Sequence, residues 1–577
     1  MILSIHGGHN ASASLITKKN GEIKSWCIEA ERVDRIKMSP GCERYEGNDF
    51  SAAAKSKWII NKKGDFSLLL KRLFIEVGIT EADVDIIVIS QNTDVRRIPR
   101  ELSNKNIIKI PHHLAHAALS FYTSNFREAL VVVCDGEGEL TDKGYETQTA
   151  WKFDSKGYTK LMATYKKDHY EMGIANAYEI YTYWLGYGYN GCGTTMALAS
   201  FSSEHSEIAD NLFVKDEYNN IFVNKNVIDL QEHVKKQNYV KKGTVAFNQE
   251  HEKMMRSISL PTRYKLRYPP ESSINNDFIT MAADIQYATE RAVISYIENV
   301  RKIFPSDFIC MGGGTFLNCN LNSKIRELPG VKDIHVPTAP GDGGLSLGAA
   351  LAYYFSCNEK CKVADTAFIG CGIIPTKPND SDSITCIKFS DIAQKAAKLI
   401  ADGNIVGWCQ GRAEFGPRAL GNRSLLADPR TMKSHTRINE MLKHREAFRP
   451  FAPIVLEEHY SECFEGVLPI PYMLETRKIK ANWREKIPAV CHVDNSARVQ
   501  IVNSQNSPKL NELIEAFYRL TEVPVLINTS LNRNGEPIVN DASEAIELLR
   551  RGMLDYLIIG DYLYFQKETS YEKSTIN

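Results

Sequence analysis

Three times along this chain a short apolar run stops at a turn built from Gly, Asp or His: ILSIHGGHNASASLI at residues 2–16, ALVVVCDGEGE at 129–139 and FICMGGGTFLN at 308–318. A strand that ends in glycine lets backbone N–H groups come close to a phosphate or a base. One such unit carries little weight. Three of them predict an α/β chain that holds a nucleotide between two lobes. Between the second and third turns, AADIQYATERAVISYIENV sets Ile285, Ala288, Ala292, Tyr296 and Val300 at three- and four-residue spacings, the pattern of a helix lying on a sheet.

The 577 residues are several times the usual domain size. Residues 202–273, rich in Asn, Lys and Glu, interrupt the α/β rhythm and read as an insertion covering a site. Near Pro375 the composition turns to Pro, Asn, Asp and Ser, an exposed connection. The expected division is therefore a first domain over 1–372 and a second over 386–577. No repeat of solenoid period is present.

The 70 basic residues are balanced by 70 acidic ones with no Lys/Arg-rich block, which argues against a nucleic-acid partner and for small ligands. The 13 cysteines are scattered without a CxxC pair, as in a reduced protein rather than a disulfide framework. The chain opens on an apolar strand with no basic segment ahead of it, and no apolar run approaches the ~20 residues of a membrane span. The expectation is a cytoplasmic protein with no membrane partner.

IPHHLAHAALS holds three histidines. In a helix, His112 and His116 share a face and His113 points about 100° away. Such a pair can chelate one ion, or it can cap the helix and hydrogen-bond in the core. Asp135 directly follows a strand, and Asp342 lies in the turn PGDGG. Two imidazoles and two carboxylates would suit Fe(II), Mn(II) or Zn(II), although each aspartate alone could be a turn-former.

The second half carries GRAEFGPRALGNRSLLADPR with Arg412, Arg418 and Arg423, then KHREAFRPFAPIV with Lys443, Arg445 and Arg449, then Arg498, Asn528 and Ser530. Guanidinium groups in such apolar, proline-bearing contexts either fork onto phosphate oxygens or form salt bridges at an interface.

Taken together, EAERVDRIK at 29–37, HHLAH at 112–116, CDGEGE at 134–139, GGGTFLN at 312–318, PGDGGLSLGAA at 340–350, EFGPRALGNRSLLADPR at 414–430, FRPFAP at 448–453, HVDNSARVQ at 492–500 and NTSLN at 528–532 resemble the O-carbamoyltransferases of NodU, CmcH and TobZ type over essentially the whole chain. The resemblance implies an N-terminal actin-like (ASKHA, TsaD-like) α/β domain followed by a YrdC-like α+β domain. It implies that the second domain makes carbamoyl adenylate from carbamoyl phosphate and Mg-ATP with release of pyrophosphate. The first domain then passes the carbamoyl group to a hydroxyl of a small metabolite, natural product or glycan.

By the same resemblance His112, His116, Asp135 and Asp342 hold a divalent metal, iron before manganese or zinc. Gly312, Gly313, Asn318, Gly343, Arg418, Arg423, Arg449 and Asn528 face nucleotide or carbamoyl phosphate, and Lys443, Arg498 and Ser530 are catalytic. His9 is the candidate base or orienter for the acceptor hydroxyl, with a turn role as its alternative. Two departures stand out: Asn10 where the family often has Asp, and Thr194 where a lysine is usual. The competing readings are threonylcarbamoyl transfer to tRNA, against which the balanced charge speaks, a nucleotide-gated binding protein without turnover, and a peptidase or kinase using the first domain alone. A homodimer is compatible with the sequence.

Overall fold

The computed structural model describes residues 1–41, 65–167, 172–188, 191–217, 220–224, 276–358, 361–378, 383–443 and 445–567. They form a mixed α/β protein of two compact units, Met1–Asp34 with Met38–Thr366, and Arg35–Lys37 with Ala367–Asn577.

The first unit is built twice on one plan. Strands Ile2–His6, Ser12–Lys19 and Glu22–Glu29 form an antiparallel meander, and Ile86–Ser90 and Asn106–Ile110 run parallel along the other edge of Ile2–His6. The second sheet repeats this with Ala129–Cys134, Gly144–Asp154 and Gly157–Lys166 as the meander and Phe308–Gly312 and Asp333–His335 as the parallel pair. All six residues of ALVVVC are buried, as expected of a central strand covered on both faces. In each half the fifth strand leads into a helix, His112–Tyr122 in the first and Leu345–Cys357 in the second. The duplication is one of topology and leaves no repeat of solenoid period in the sequence. The helix Asn276–Ile303 provides part of the crossover that a parallel pair requires, and the five residues spaced along it are all buried.

Those two helices approach each other at backbone distance. A Cβ on Gly348 would lie 2.1 Å from the carbonyl oxygen of Ala115, and one on Gly344 would lie 2.2 Å from that of Ala339 and 2.5 Å from Leu119 Cδ2. The stretch DGGLSLGAA is therefore a packing surface as well as a turn.

The start of the 202–273 stretch forms the short helix Glu207–Asn211 and the hairpin Phe213–Lys215 with Ile221–Val223. Ser206 fastens it to the long helix by donating its N–H and hydroxyl to the two oxygens of buried Asp284, both at 2.6 Å. From residue 225 onward the expected insertion lies outside the described residues, as does the polar stretch 379–382.

The second unit is a nine-stranded, mainly antiparallel sheet on a core that includes Trp408, Leu425, Ile454, Val499 and Phe517. It begins earlier than residue 386, and residues 367–372 belong to it rather than to the first domain. The reason is pairing. Gly370 N–H donates to Ala413 O (3.0 Å), Ala413 N–H to Cys371 O (2.8 Å) and Phe415 N–H to Ala367 O (2.9 Å). Among the described residues no helix is long and apolar enough to cross a membrane.

Gly348→Ala should cost about 1–3 kcal/mol, the range for overpacking a tight contact. Gly193→Ala, where a Cβ meets nothing within 4 Å, should be neutral or stabilising. Denaturant midpoints of the two variants against wild type check this, and an unaffected Gly348→Ala would show that the helix contact is not tight.

Candidate metal centre and anion site

The helix His112–Tyr122 starts after Pro111 and is buried along its whole length. Its first N–H, that of His112, donates to Glu139 Oε1 at 2.8 Å, so the last residue of CDGEGE satisfies a donor the helix leaves open. One helical turn apart, His112 and His116 bring their Nε2 atoms within 3.2 Å of each other. Asp135 leaves the strand with its N–H donated to Thr147 O (3.1 Å), and its Oδ1 accepts the Gly314 N–H (3.0 Å). The other oxygen, Oδ2, sits 3.1 Å from His112 Nε2 and 3.5 Å from His116 Nε2. Asp342 enters from the turn before Leu345–Cys357, with Oδ1 3.6 Å from His112 Nε2 and 3.4 Å from His116 Nε2.

One ligand atom from each of the four residues lies within 4.8 Å of all the others. Donors held about 2.1 Å from a shared ion stand about 3.0 Å apart at octahedral angles and about 3.4 Å apart at tetrahedral ones, close to the 3.1–3.6 Å separations among the two imidazoles and between each imidazole and each carboxylate. A hydrogen bond accounts less well for two ring nitrogens 3.2 Å apart that face the same carboxylates. Burial alone would raise the two carboxyl groups, but the surrounding histidines outweigh it and hold both well below the ordinary carboxylate range. Burial would lower His116, yet Asp135 and Asp342 hold it up to about 9. The donor set thus fits a divalent cation.

His113 turns away, as its position on the helix requires. Its Nδ1 lies 3.1 Å from Thr149 Oγ1, and its ring packs so tightly on Gly138 that a Cβ there would come within 2.6 Å. The glycines have packing duties that need no ligand. Gly313 has φ +98 and would drive a Cβ to 2.3 Å from Cys134 O, and a Cβ on Gly312 would lie 2.9 Å from His116 O. Gly343 passes Glu29, whose Oε1 would be 3.0 Å from a Cβ. Asn318 caps the helix Cys319–Arg326 through Leu321 N–H (3.1 Å) and exchanges hydrogen bonds with Gln286.

His9 stands at the rim of the centre, half exposed, with Nε2 3.4 Å from Asp342 Oδ2. Asn10 adopts φ 60, which asparagine tolerates better than most residues. Thr194 is buried in the helix Cys192–Ala199. Two groups absent from the sequence reading also approach. Buried His6 places Nε2 4.0 Å from Asp342 Oδ2. Glu179, on the helix Ile174–Trp184, feels His9, Asp135 and Glu137, and burial lifts its carboxyl to about 7. The pair of histidines bracketing HGGH was the available signal for His6; nothing in the sequence marked Glu179.

In the second unit Arg423 binds backbone carbonyls. It is fully buried, and its guanidinium donates to Gln410 O (2.8 Å), Asn422 O (2.7 Å) and Cys371 O (2.9 Å). Glu414 Oε1 accepts the N–H groups of Leu420, Asn422 and Arg423 at 2.7–3.0 Å. Glu414 and Arg423 therefore shape the loop on which Arg418 rides. Asn528 Nδ2 is likewise committed, to Ala419 O (2.8 Å) and Gln500 Oε1 (2.7 Å).

Lys443, Arg445, Arg449 and Arg498 do come together. Burial, then repulsion by Arg445, Arg449 and Lys37, pushes the Lys443 ammonium well below the ordinary lysine value. Burial, then Arg449, does the same to Arg445, partly offset by Glu446 and reinforced by Arg498. Lys443 Nζ donates to Ser530 O and Asn532 Oδ1, both at 2.7 Å, and Ser530 Oγ donates to Asn532 Oδ1 at 2.6 Å. Lys443 is buried and the three arginines are part-exposed, with Glu446 3.9 Å from Arg449; cations that repel one another in this way are stabilised by a further anion.

The family description "Carbamoyltransferase N-terminus" matches residues 43–351, and "Carbamoyltransferase C-terminus" matches 397–566. An uncharacterized protein of Synechocystis sp., sll1178, is 30% identical over 89% of this chain and 81% of its own length. Nodulation protein NolNO of Sinorhizobium fredii is 28% identical over 98% of this chain and 80% of its own length. The 3'-hydroxymethylcephem-O-carbamoyltransferase of Amycolatopsis lactamdurans is 34% identical over 48% of this chain and 53% of its own length. The chain belongs to the carbamoyltransferase family, a family of enzymes.

Elemental analysis should find Asp135→Ala and His116→Ala depleted of transition metal. His113→Ala should keep the metal while losing on the order of 2 kcal/mol of stability, as other buried truncations do. Metal retained by Asp135→Ala would remove that residue from the centre. Because burial raises the Glu179 carboxyl, the fold favours its protonated form: that contribution to stability is present at low pH and fades as pH rises through about 7. Difference infrared spectra of wild type against Glu179→Gln should show one carboxylic acid that titrates near neutrality, and its absence would place Glu179 among ordinary carboxylates.

Proposed function

From membership of the carbamoyltransferase family we propose that the chain is an O-carbamoyltransferase. It would form carbamoyl adenylate from carbamoyl phosphate and Mg-ATP and transfer the carbamoyl group to a hydroxyl of a small metabolite, natural product or glycan. The observation that supports this most is the presence of two chemically different sites on two units: two imidazoles and two carboxylates in one, converging cations in the other. The doubled sheet of the first unit supports an actin-like, ASKHA and TsaD-type reading, and the mainly antiparallel sheet of the second supports a YrdC-like one. The setting would be cytoplasmic, without a nucleic-acid or membrane partner.

Adenylate formation must balance. Phosphate leaves carbamoyl phosphate with one water consumed, a carbamate oxygen joins the α-phosphate of ATP, and pyrophosphate departs. Three negatively charged groups are handled together, which is the task Arg445, Arg449, Arg498 and the loop-borne Arg418 suit. Lys443 holds the Ser530–Asn532 turn in shape beside them.

In the first unit, His112, His116, Asp135 and Asp342 would hold a divalent ion, iron before manganese or zinc. Such an ion would supply Lewis-acid stabilisation of the adenylate's phosphate as a leaving group. His9, at the rim, would orient the acceptor hydroxyl or take its proton, and Glu179 is the nearby carboxyl able to hold a proton near neutrality. The C–O bond to the acceptor forms as the bond to AMP breaks.

Arg498→Ala should abolish pyrophosphate release that depends on carbamoyl phosphate, whereas His116→Ala should retain part of it and lose product. His9→Ala should lower transfer by roughly 10²–10⁴-fold while pyrophosphate release continues. Pyrophosphate and carbamoylated product, followed together, check all three. Pyrophosphate release indifferent to carbamoyl phosphate in the wild type would refute the proposed function.

A further inference from the structure

The duplication of the first unit makes four positions equivalent in pairs. In the second half, the residue after the first strand is Asp135, and the turn before the helix that follows the fifth strand holds Asp342. In the first half, the corresponding helix start holds His112 and His116. The remaining place is the end of the first strand of the first half, where Gly7 stands at the position of Asp135 and His6 is the last strand residue before it. Three of the four places provide the donor set, and next to the fourth stands an imidazole, that of His6.

His6 is 2% exposed. Its Nδ1 is 2.7 Å from Ser90 Oγ, which lies 3.0 Å from Thr93 Oγ1, and that hydroxyl accepts the Gly7 N–H at 2.9 Å. This fastening fixes the ring plane and leaves Nε2 aimed at the centre. Among the described residues Nε2 has no hydrogen-bond partner, and leaving a buried ring nitrogen unpaired is costly. Gly8 leaves the flank of the ring open, since a Cβ there would stand 3.4 Å from Nε2. The two oxygens of Asp342 divide their neighbours: Oδ1 faces His112 and His116, and Oδ2 faces His9 at 3.4 Å and His6 at 4.0 Å.

We propose that His6 is a positioning residue of the metal centre: through Nε2 it holds Asp342 Oδ2 and so keeps Oδ1 turned toward His112 and His116. At 4.0 Å the pair stands beyond direct hydrogen-bond distance, so the carboxylate must turn toward Nε2 for this contact to form. Partners that orient ligating carboxylates typically matter 10–100-fold in metal affinity. The inference rests on reading His112, His116, Asp135 and Asp342 as ligands.

The test titrates the metal-stripped full-length protein with Co(II), followed by visible d–d absorption and by chelator competition, in wild type, His6→Leu, His6→Gln and Ser90→Ala. His6→Leu should bind Co(II) roughly 10–100-fold more weakly with shifted d–d bands. His6→Gln, whose amide nitrogen reaches where Nε2 does, should restore most of the affinity, and Ser90→Ala should fall between. Melting temperatures of the metal-free forms separate a packing defect from a metal effect. His6→Leu with wild-type affinity and spectrum would overturn the proposal whatever its melting temperature. Should His6→Leu fail to fold, unchanged affinity in Ser90→Ala would do the same. Wild type that takes up no Co(II) would instead overturn the four-ligand reading beneath it.

Discussion

Everything at the proposed metal centre depends on how closely two helices can approach. The contact of Gly348 with the backbone of Ala115, supported by Gly344 against Leu119, allows no side chain between them. It sets Asp342, on the turn before one helix, opposite His112 and His116 in the first turns of the other. Gly312 and Gly313 perform the same service from the other side, letting the strand end that carries Gly314 pack against His116 and Cys134. Gly314 then donates its N–H to Asp135 Oδ1, leaving Oδ2 for the histidines. The glycine-rich stretches are thus geometric requirements of the donor set first, and any contact they make with a nucleotide comes on top of that.

The duplicated topology explains why the donors arrive from such distant parts of the sequence. Strand ends and helix starts of two similarly built halves meet: the helix start of the first half brings His112 and His116, and the strand end and helix start of the second half bring Asp135 and Asp342. In the second unit the governing constraint is electrostatic. Glu414 and Arg423 consume their charge on backbone groups to shape a loop, while Lys443, Arg445, Arg449 and Arg498 remain close enough to destabilise one another's charged forms.

Much of this was legible in the sequence, and the failures have definite causes. The one-turn spacing of His112 and His116 and the strand preceding Asp135 are local patterns, so they could be read directly. Joining Asp342 to them required the family resemblance, because that contact is set by tertiary packing. The carbonyl contacts of Arg423 are not legible in sequence, because an arginine in an apolar setting looks the same whether it meets phosphate or carbonyl oxygens. His6 was passed over because its role is visible only when the two halves are compared. Residues 367–372 pair with Arg412–Phe415 of the second unit, and composition does not report pairing.

X-ray absorption at the metal edge of the purified protein tests the central claim most directly. A centre made by His112, His116, Asp135 and Asp342 predicts nitrogen and oxygen scatterers at about 2.0–2.2 Å, with the outer-shell signature of two imidazoles per metal and no sulfur. A sulfur shell at about 2.3 Å, or the signature of three or more imidazoles, would contradict it.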